Sequence, residues 1–335
     1  MDMDTNPQVA VLMATYNGEK YLKEQIDSIL GQTYSRLKLI VRDDGSVDKT
    51  VDILDEYIKK DDRIILLKNK DLKHGAYRNF WNLIHYAKNQ IDADYIFLSD
   101  QDDVWKLNKI ESSIELFLKN NNERPLLLYS DMEVINECGE LIYQSYDAVM
   151  RIGKVKPQVT YFTRDIFWGC TMAFNGQLLK QIPLMPLDDR RIDIMSHDTY
   201  LAEFAASFGD VIYLDDVTIE HRKHSNNVTG NSTLLYNRKT ITKKIFGSSF
   251  EEKSKKHART YAQSLIAIEV FEKNGFSNND LILMSKAIKK GGFIGIRLFF
   301  RYRVKKRQFT RNILLYWIML TKSYKKHMIK WMNCD

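Results

Sequence analysis

Short hydrophobic runs alternate with amphipathic stretches through the N-terminal part of the chain. The runs are rich in β-branched residues and occupy 9–13, 37–41 and 63–67, while helical periodicity fills 20–30 and 49–59. A third amphipathic stretch, 76–89, leads to the apolar run 95–98. This alternation predicts an α/β fold with a mostly parallel central sheet, in which ligands bind beyond the carboxyl ends of the strands.

The pattern is less regular in the middle of the chain. After the run 126–130 and a turn near Gly139, we expect mixed strands and loop to about Arg164. Helical periodicity and two strand-like runs follow, at 197–208, 211–214 and 217–219. Residues beyond Gly230 favour helices, with a break at 273–279. We therefore predict one domain over 1–230 and a helical region over 231–335.

Composition limits the class of protein. The chain has 335 residues, 44% of them hydrophobic, which is enough for a large core. Its three cysteines are scattered, so they predict neither a disulfide framework nor a zinc site, and a reducing cytoplasm fits best. Residues 1–8 do not resemble a signal peptide, and no C-terminal apolar run reaches the ~20 residues of a spanning helix.

Charge is unevenly distributed. Residues 286–335 hold 14 Lys or Arg and one acid, a net charge of +13, whereas the preceding residues carry −6. A basic tail interleaved with apolar side chains is typical of a segment lying on an anionic membrane. Packing on the main domain or on a second copy in a homodimer remains the alternative. Nucleic acid is disfavoured as a partner because the rest of the chain is acidic.

Two polar loops follow the first two predicted strands. Thr15, Tyr16, Asn17, Gly18 and Glu19 follow the first, where backbone groups could approach a planar base while the tyrosine packs on it. Arg42, Asp43, Asp44, Gly45 and Ser46 follow the second, and their acids could accept hydrogen bonds from a base and a ribose. An ordinary βα turn and a helix cap are the respective alternatives.

An acidic cluster ends the run 95–98. It comprises Asp100, Gln101, Asp102 and Asp103, with Trp105 close behind. Carboxylates at positions i and i+2 project to the same side, and such oxygen ligands suit Mg²⁺ or Mn²⁺ bridging a diphosphate. A solvated turn is the alternative, but three neighbouring acids repel one another unless a cation is present.

Two further clusters come later in the chain. Asp198 opens the helix 197–208, where it could either favour the helix N-terminus or take a proton from an acceptor hydroxyl. The basic run from His221 to His224 follows a strand, and it could contact phosphate, add a metal ligand or form a solvated loop.

Absent motifs narrow the choice. The chain has no Walker loop, GxGxxG, GxSxG or HExxH, which argues against kinases, dinucleotide oxidoreductases, α/β hydrolases and zincins. A sugar nucleotidyltransferase should carry a basic, glycine-rich loop after its first strand, and 15–19 has no basic residue.

The order of these motifs resembles family-2 glycosyltransferases with a Rossmann-like GT-A fold, over about 8–230. The likeness is closer to bacterial rhamnosyltransferases that build cell-wall, capsular and O-antigen polysaccharides. The matching segments are TYNGEKYLKEQIDSIL at 15–30, RDDGSVDKT at 42–50, FLSDQDDVW at 97–105, HDTYLAEFA at 197–205 and HRKHSNNVTG at 221–230.

The resemblance implies roles for these residues. The nucleotide-sugar half, about 8–130, would hold the donor through Thr15, Tyr16, Asn17, Glu19, Asp43, Asp44, Asp100 and Gln101. The metal ligands would be Asp100, Asp102 and His224, and Asp198 would be the general base. The acceptor half, about 131–230, would include Trp168 stacked on a sugar ring, and Asp103 and Trp105 would also face the acceptor.

The resemblance also implies a reaction. We expect an inverting, Mn²⁺- or Mg²⁺-dependent transfer of L-rhamnose from dTDP-rhamnose to a lipid-linked saccharide, in bacterial surface polysaccharide synthesis. A UDP-hexose donor, or less favourably a nucleotidyltransferase reaction, is the alternative. Such an enzyme would lie in the cytoplasm, peripherally on the inner face of the plasma membrane.

Overall fold

The computed structural model describes residues 6–69, 73–150, 158–163, 168–225, 227, 248–304 and 309–333. They form two compact units. Unit 1 comprises Met1–Gly153, Phe167–Ile182 and Gly209–Asn231, and unit 2 comprises Lys154–Ile166, Pro183–Phe208 and Ser232–Asp335. The expected boundaries at Gly230 and Arg164 lie outside the described residues, so the predicted domain division stays a prediction.

Unit 1 is built on one nine-stranded sheet. Its strands are β1 (Val9–Thr15), β2 (Leu37–Asp43), β3 (Ile64–Lys68), β4 (Tyr95–Ser99), β5 (Val104–Trp105), β6 (Leu126–Ile135), β7 (Leu141–Tyr143), β8 (Met172–Asn175) and β9 (Asp210–Arg222). The order is β3-β2-β1-β4-β8-β6-β9-β5, with β7 beside β6. Strands β3, β2, β1 and β4 are mutually parallel, whereas β8 is antiparallel to both of its neighbours.

Helices connect these strands. They are α1 (Leu22–Leu30), α2 (Thr50–Ile58), α3 (Ala76–Gln90), α4 (Lys109–Leu118), α5 (Tyr146–Met150) and α6 (Gly176–Gln181). In α1 the apolar residues Leu22, Ile26 and Ile29 recur on one face and are fully buried. Residues 9–13 of β1 are also fully buried, as expected for a parallel strand covered on both faces. The predicted α/β class is confirmed.

The region around β9 differs from the prediction. The runs 211–214 and 217–219 belong to one strand, β9, which pairs in parallel with β6. Asp215 and Asp216 between them are exposed, and the register shifts at this point, between Ser130 and Asp131 of β6. The polar pair therefore marks an irregularity within a strand and not a turn.

Unit 2 is helical in its described part. Its helices are α7 (His197–Phe208), α8 (Ser248–Lys273), α9 (Asn279–Lys290), α10 (Gly292–Arg301), α11 (Phe309–Thr321) and α12 (Lys325–Asn333), with short 3₁₀ turns at Gln158–Thr163 and Arg190–Asp193. The break at 273–279 is found as predicted, and the Asn278 side chain caps α9 by accepting from the Leu281 amide. None of the helices described combines the length and the hydropathy that a membrane span requires.

Candidate active site

Strand register brings three polar loops of unit 1 to one edge of the sheet. Thr15 at the end of β1 pairs with Asp43 at the end of β2. On the other side of β1, Met13 pairs with Ser99, the last residue of β4. The segments that begin at Tyr16, Asp44 and Asp100 are therefore neighbours, as the parallel pattern predicted.

The loop after β1 is fastened to the loop after β2. Asn17, with a φ of 47°, donates its amide to the Ser46 hydroxyl at 2.8 Å and accepts from the Val47 amide at 2.9 Å. The Glu19 carboxylate accepts from the Lys49 amide at 2.9 Å, at the start of α2. The Tyr16 side chain remains 51% exposed, so its ring has a surface available for a flat ligand.

The two acids at the end of β2, Asp43 and Asp44, are buried and accept hydrogen bonds from neighbouring groups of the protein. Asp43 accepts from the amides of Gly45 and Ser46 at 3.1 and 2.9 Å. The Asp44 carboxylate accepts from Arg42 at 3.2 Å, Asn69 at 2.9 Å and the Gly75 amide at 2.8 Å. Asp43 therefore closes a local turn and does not cap α2, which begins at Thr50 and has no side-chain cap, and Asp44 is the centre of an internal network.

Arg42 was noted in the sequence without a role, and three other residues of this network were not singled out: Asn69, His74 and Asn79. The buried Asn79 carboxamide accepts from the Arg42 guanidinium at 2.8 Å and donates to the Arg42 carbonyl at 3.0 Å. The His74 ring lies 2.7 Å from the Asp44 carbonyl through Nδ1 and is half-exposed beside this loop. A charged residue within the apolar strand β2, and an asparagine on the buried face of α3, were the available signals.

Gln101, between Asp100 and Asp102, holds the loop after β1. Its carbonyl oxygen accepts from the Tyr16 amide at 2.8 Å, and its amide donates to the Tyr16 carbonyl at 3.1 Å. A Cβ at Gly18 would lie 2.4 Å from the same carboxamide oxygen, so Gly18 makes room for this contact. Gln101 therefore acts through Tyr16 and its side chain is already engaged.

The acidic cluster meets the basic run after β9. Asp102 Oδ2 lies 2.7 Å from His224 Nε2, and both side chains are largely buried. The His224 amide donates to the Asn227 side chain at 2.6 Å. Arg222 donates to the Asp102 carbonyl at 3.0 Å, and its guanidinium lies 4.7 Å from the centre of the Tyr21 ring. The backbones that carry Asp102 and His224 are thus both held.

Asp103 and His221 form a buried pair behind these residues. Asp103 Oδ1 lies 2.8 Å from His221 Nδ1 and accepts from the Arg222 amide at 3.0 Å. Burial opposes both charges, but their mutual attraction lowers the pKa of Asp103 and raises the pKa of His221 to about 9. Acidic side chains of the protein itself therefore lie against the basic run.

Asp103 and Trp105 do not have the surroundings expected of acceptor contacts. Asp103 is fully buried and Trp105 is almost so. The ammonium of Lys109 lies 4.6 Å from the centre of the Trp105 ring, and burial lowers the pKa of Lys109 to about 8. Their side chains have no exposed surface that a saccharide could contact, so Asp103 and Trp105 pack within the protein next to the site.

Trp168 stands at the edge of the same cluster. Its half-buried ring lies 5.4 Å from the His221 ring and 5.4 Å, edge-on, from the Tyr146 ring, measured between ring centres. An aromatic group held between two rings is a suitable platform for a sugar. Its predicted role in acceptor binding stays a prediction.

Asp198 belongs to unit 2, in the first turn of α7. Its Oδ1 accepts from the Ser196 hydroxyl and from the amide and hydroxyl of Thr199, the last two at 2.5 and 3.3 Å. These contacts fix the orientation of the carboxylate. The neighbouring His197 is buried, which lowers its pKa to about 3 and keeps it neutral.

The donor set around Asp102 suits a divalent cation. A carboxylate oxygen and an imidazole nitrogen from distant parts of the chain converge to 2.7 Å, and both are ligands that Mn²⁺ accepts. Asp100 is close enough to raise the pKa of His221 electrostatically. Among the described residues, the ligand atoms of Asp100, Asp102 and His224 do not all lie within 4.8 Å of one another, so the structure brings together two of the three predicted metal ligands, Asp102 and His224.

Solved structures define the class of fold. Residues 1–349 of Staphylococcus aureus TarS, in complex with UDP-GlcNAc, align at a TM-score of 0.54 and 16% identity, over 98% of this chain and 92% of that one. The mannosyltransferase PcManGT of Pyrobaculum calidifontis, in complex with GDP-Man and Mn²⁺, aligns at 0.50 and 14%, over 97% and 88%. The chain has the GT-A fold of glycosyltransferases, as predicted.

Sequence comparison then gives the family. The model for glycosyl transferase family 2 matches residues 10–128. The dTDP-rhamnosyl transferase RfbG of Shigella flexneri is 30% identical over 224 residues, which are 65% of this chain and 73% of that protein. The uncharacterized glycosyltransferase MJ1057 of Methanocaldococcus jannaschii is 32% identical over 203 residues, 60% of this chain and 65% of that protein. The chain belongs to glycosyl transferase family 2 and is a glycosyltransferase.

Proposed function

We propose that this glycosyltransferase transfers a sugar, with inversion, from a nucleoside-diphosphate donor to a hydroxyl of a lipid-linked saccharide. The observation that carries the proposal is the convergence of Asp102 and His224 beside the Tyr16 loop. L-Rhamnose from dTDP-rhamnose is the favoured donor because RfbG is named a dTDP-rhamnosyl transferase. A UDP-hexose is the alternative donor, and a nucleotidyltransferase reaction ranks below both.

Residues of unit 1 would bind the donor. Tyr16 would pack on the nucleobase, and the loops fixed by Asn17 and Asp44 would present backbone groups to the base and ribose. Because these loops are already hydrogen-bonded to each other, little conformational entropy would be lost on binding. Thr15, Glu19 and Asp43 would shape the pocket through their contacts within the loops.

Asp100, Asp102 and His224 would hold Mn²⁺ or Mg²⁺. The bound ion would neutralise the charge that develops on the departing diphosphate. PcManGT, which shares the fold, was solved with Mn²⁺. Within the chain, Arg222 and the Asp103–His221 pair would keep the donor atoms in place, and support of this kind typically changes metal affinity 10–100-fold.

Asp198 would act as general base. A carboxylate that takes the proton of the acceptor hydroxyl allows attack on C1 from the side opposite the nucleotide, which inverts the anomeric centre. Its contacts with Ser196 and Thr199 would orient it for that transfer. Trp168 would stack on the acceptor saccharide, which would reach the enzyme from the cytoplasmic face of the plasma membrane.

A donor screen tests the proposal. Calorimetry with dTDP-rhamnose, UDP-hexoses and GDP-mannose, each with Mn²⁺ and with a chelator, should show binding that depends on the ion, tightest for dTDP-rhamnose. Asp102→Asn should abolish the ion dependence, whereas the exposed Asp216→Asn control should retain it. Failure of every sugar nucleotide to bind, with or without Mn²⁺, would contradict the proposal.

The base assignment needs a separate measurement. Asp198→Asn should lower transfer under saturating donor by about 10²–10⁴-fold while leaving donor affinity unchanged. The matched control is Asp188→Asn, which removes an exposed acid from the same unit. Wild-type turnover in Asp198→Asn would exclude this residue as the base.

A further inference from the structure

Helix α10 of unit 2 has two faces of different character. The inner face comprises Gly292, Gly295 and Phe299, which are buried. A Cβ at Gly295 would lie 2.4 Å from the Met319 sulfur of α11, so the two helices approach closely there. The outer face therefore has a fixed orientation, because the helix cannot rotate without losing this packing.

The outer face of α10 combines large apolar residues with arginines. Phe293 is 82% exposed and Phe300 is 64% exposed, and Ile294 is also exposed. Arg297 and Arg301 lie on the same face, one turn from the apolar residues. In the described part of the chain neither guanidinium pairs with a carboxylate. Phenylalanines this exposed are unfavourable in water unless a partner covers them.

The neighbouring helix α11 extends this surface. The rings of Phe300 and Tyr316 stack with their centres 4.6 Å apart and an angle of 9° between them. Ile313 and Trp317 of α11 are exposed as well. Two contacting helices therefore both present apolar side chains to solvent, and between Lys286 and the terminal Asp335 there is no acid in the sequence.

We propose that the outer face of α10, formed by Phe293, Ile294, Arg297, Phe300 and Arg301, binds the surface of an anionic lipid bilayer. The apolar side chains would enter the boundary between headgroups and acyl chains, and the arginines would pair with lipid phosphates. This surface belongs to unit 2 and its binding does not depend on the transfer reaction.

The chemistry of the face favours lipid over other partners. Apart from arginine, residues 292–301 contain no side chain that could hydrogen-bond the edge of a nucleotide base. Aliphatic residues such as Ile294 and Ile313 provide no stacking surface for bases, whereas they partition well into a bilayer interface. A second copy of the chain would have to supply acids opposite Arg297 and Arg301.

Vesicle flotation with the full chain tests this proposal. The chain should float with vesicles of phosphatidylcholine containing phosphatidylglycerol and remain at the bottom with phosphatidylcholine alone. The double variant Phe293→Ser/Phe300→Ser should lower the partition coefficient at least about tenfold, because two large apolar side chains are lost. The matched control Leu107→Ser/Leu141→Ser removes two exposed leucines from unit 1 and should float like the wild type.

A charge variant tests the contribution of the two arginines to bilayer binding. Arg297→Gln/Arg301→Gln should lower partitioning about 25-fold, since each arginine near an anionic surface contributes about fivefold. Lys253→Gln/Lys255→Gln on α8 makes the same change in net charge at exposed positions and should have a much smaller effect. Circular dichroism of all variants should match the wild type because every substituted side chain is on the surface.

Three results with vesicles or light scattering would overturn the proposal, and a fourth concerns RNA. They are failure of the wild-type chain to float with anionic vesicles, equal losses in the α10 variants and their controls, and a dimer by light scattering that Phe293→Ser/Phe300→Ser converts to a monomer without any vesicle binding. An RNA complex that requires Arg297 and Arg301 while vesicles do not bind would equally contradict it. None of these measurements requires a sugar donor, so the outcome is independent of the proposed reaction.

Discussion

The acids after β2 and the acids after β4 lie in neighbouring loops but have different partners. Asp44 is surrounded by an arginine, an asparagine and a backbone amide, all of which donate to it. Asp102 faces the imidazole of His224, which offers a nitrogen that can also bind a cation. A buried acid with several internal donors supports the fold, whereas an acid opposite a histidine can exchange that contact for a metal.

Within this comparison of the two loops, the largest expected effect is that of Asp102→Asn. Loss of the anionic oxygen should lower turnover by about 10³-fold and weaken Mn²⁺ binding, while the free energy of unfolding changes little. Turnover at increasing Mn²⁺ measures the first effect, and urea unfolding measures the second. The exposed Asp216→Asn is the control. If Asp102→Asn destabilised the protein as much as a substitution at Asp44 does, the contrast between the two loops would not hold.

Asp44→Ala should show the opposite pattern. The buried Arg42 guanidinium would lose its carboxylate, which typically costs about 3 kcal/mol or more of stability. Urea unfolding should reveal this loss, and Mn²⁺ affinity of the folded fraction should be retained. Asp62→Ala removes an exposed acid from the same unit and should change stability by less than about 0.5 kcal/mol.

Unit 2 contains a third kind of buried acid, Glu203, which sharpens the comparison. Burial raises the pKa of Glu203 to about 8, although the Ser264 hydroxyl that donates to it acts in the opposite direction. The unfolded chain ionises this group near 4.5, so the folded state is progressively disfavoured as pH rises from 4.5 to 8.

Glu203→Gln should therefore stabilise the protein at neutral pH. Its advantage over the wild type should be small at pH 5 and should increase by roughly 3 kcal/mol by pH 7, because other titrating groups are common to both proteins. Urea unfolding of both proteins across this range measures the difference. A constant difference from pH 5 to pH 8 would show that Glu203 is ionised in the folded state.

The smallest effect is expected at Gln101. Gln101→Ala removes two hydrogen bonds to the Tyr16 backbone and should raise KM for the donor about tenfold, with a smaller change in kcat. The matched variant Gln101→Glu keeps the acceptor for the Tyr16 amide and should recover part of the loss. An equal fall in kcat for both variants would instead indicate a direct role in the reaction.

Much of the fold was accessible from hydrophobic periodicity. The order of strands and helices up to α3 follows from alternation of apolar and polar residues, and the loops at the strand ends follow from parallel pairing. The single strand β9 was missed because Asp215 and Asp216 interrupt its pattern with residues typical of a turn. The local sequence could not show whether these two acids form a turn between two strands or lie at an exposed register shift within one strand.

The site was predictable in its residue types and less so in its contacts. Asp102 and His224 are 122 residues apart, and Asp103 and His221 are 118 apart, so their pairing depends on tertiary structure. From the sequence, the basic run was expected to form a solvated loop, contact phosphate or add a metal ligand, because its pairing with Asp102 and Asp103 could not be foreseen. Burial likewise separates Asp103 from Asp102 although they are adjacent in the chain.

The Gln101 carboxamide joins the loop after β4 to the loop after β1, and this link has a thermodynamic consequence. Two ligands that order the same pair of segments must influence each other equally, whichever arrives first. If the bound ion changes the affinity for the nucleoside by some factor, the bound nucleoside changes the affinity for the ion by the same factor. Under the proposed roles of the two loops, the Gln101 side chain would couple recognition of the base to binding of the metal.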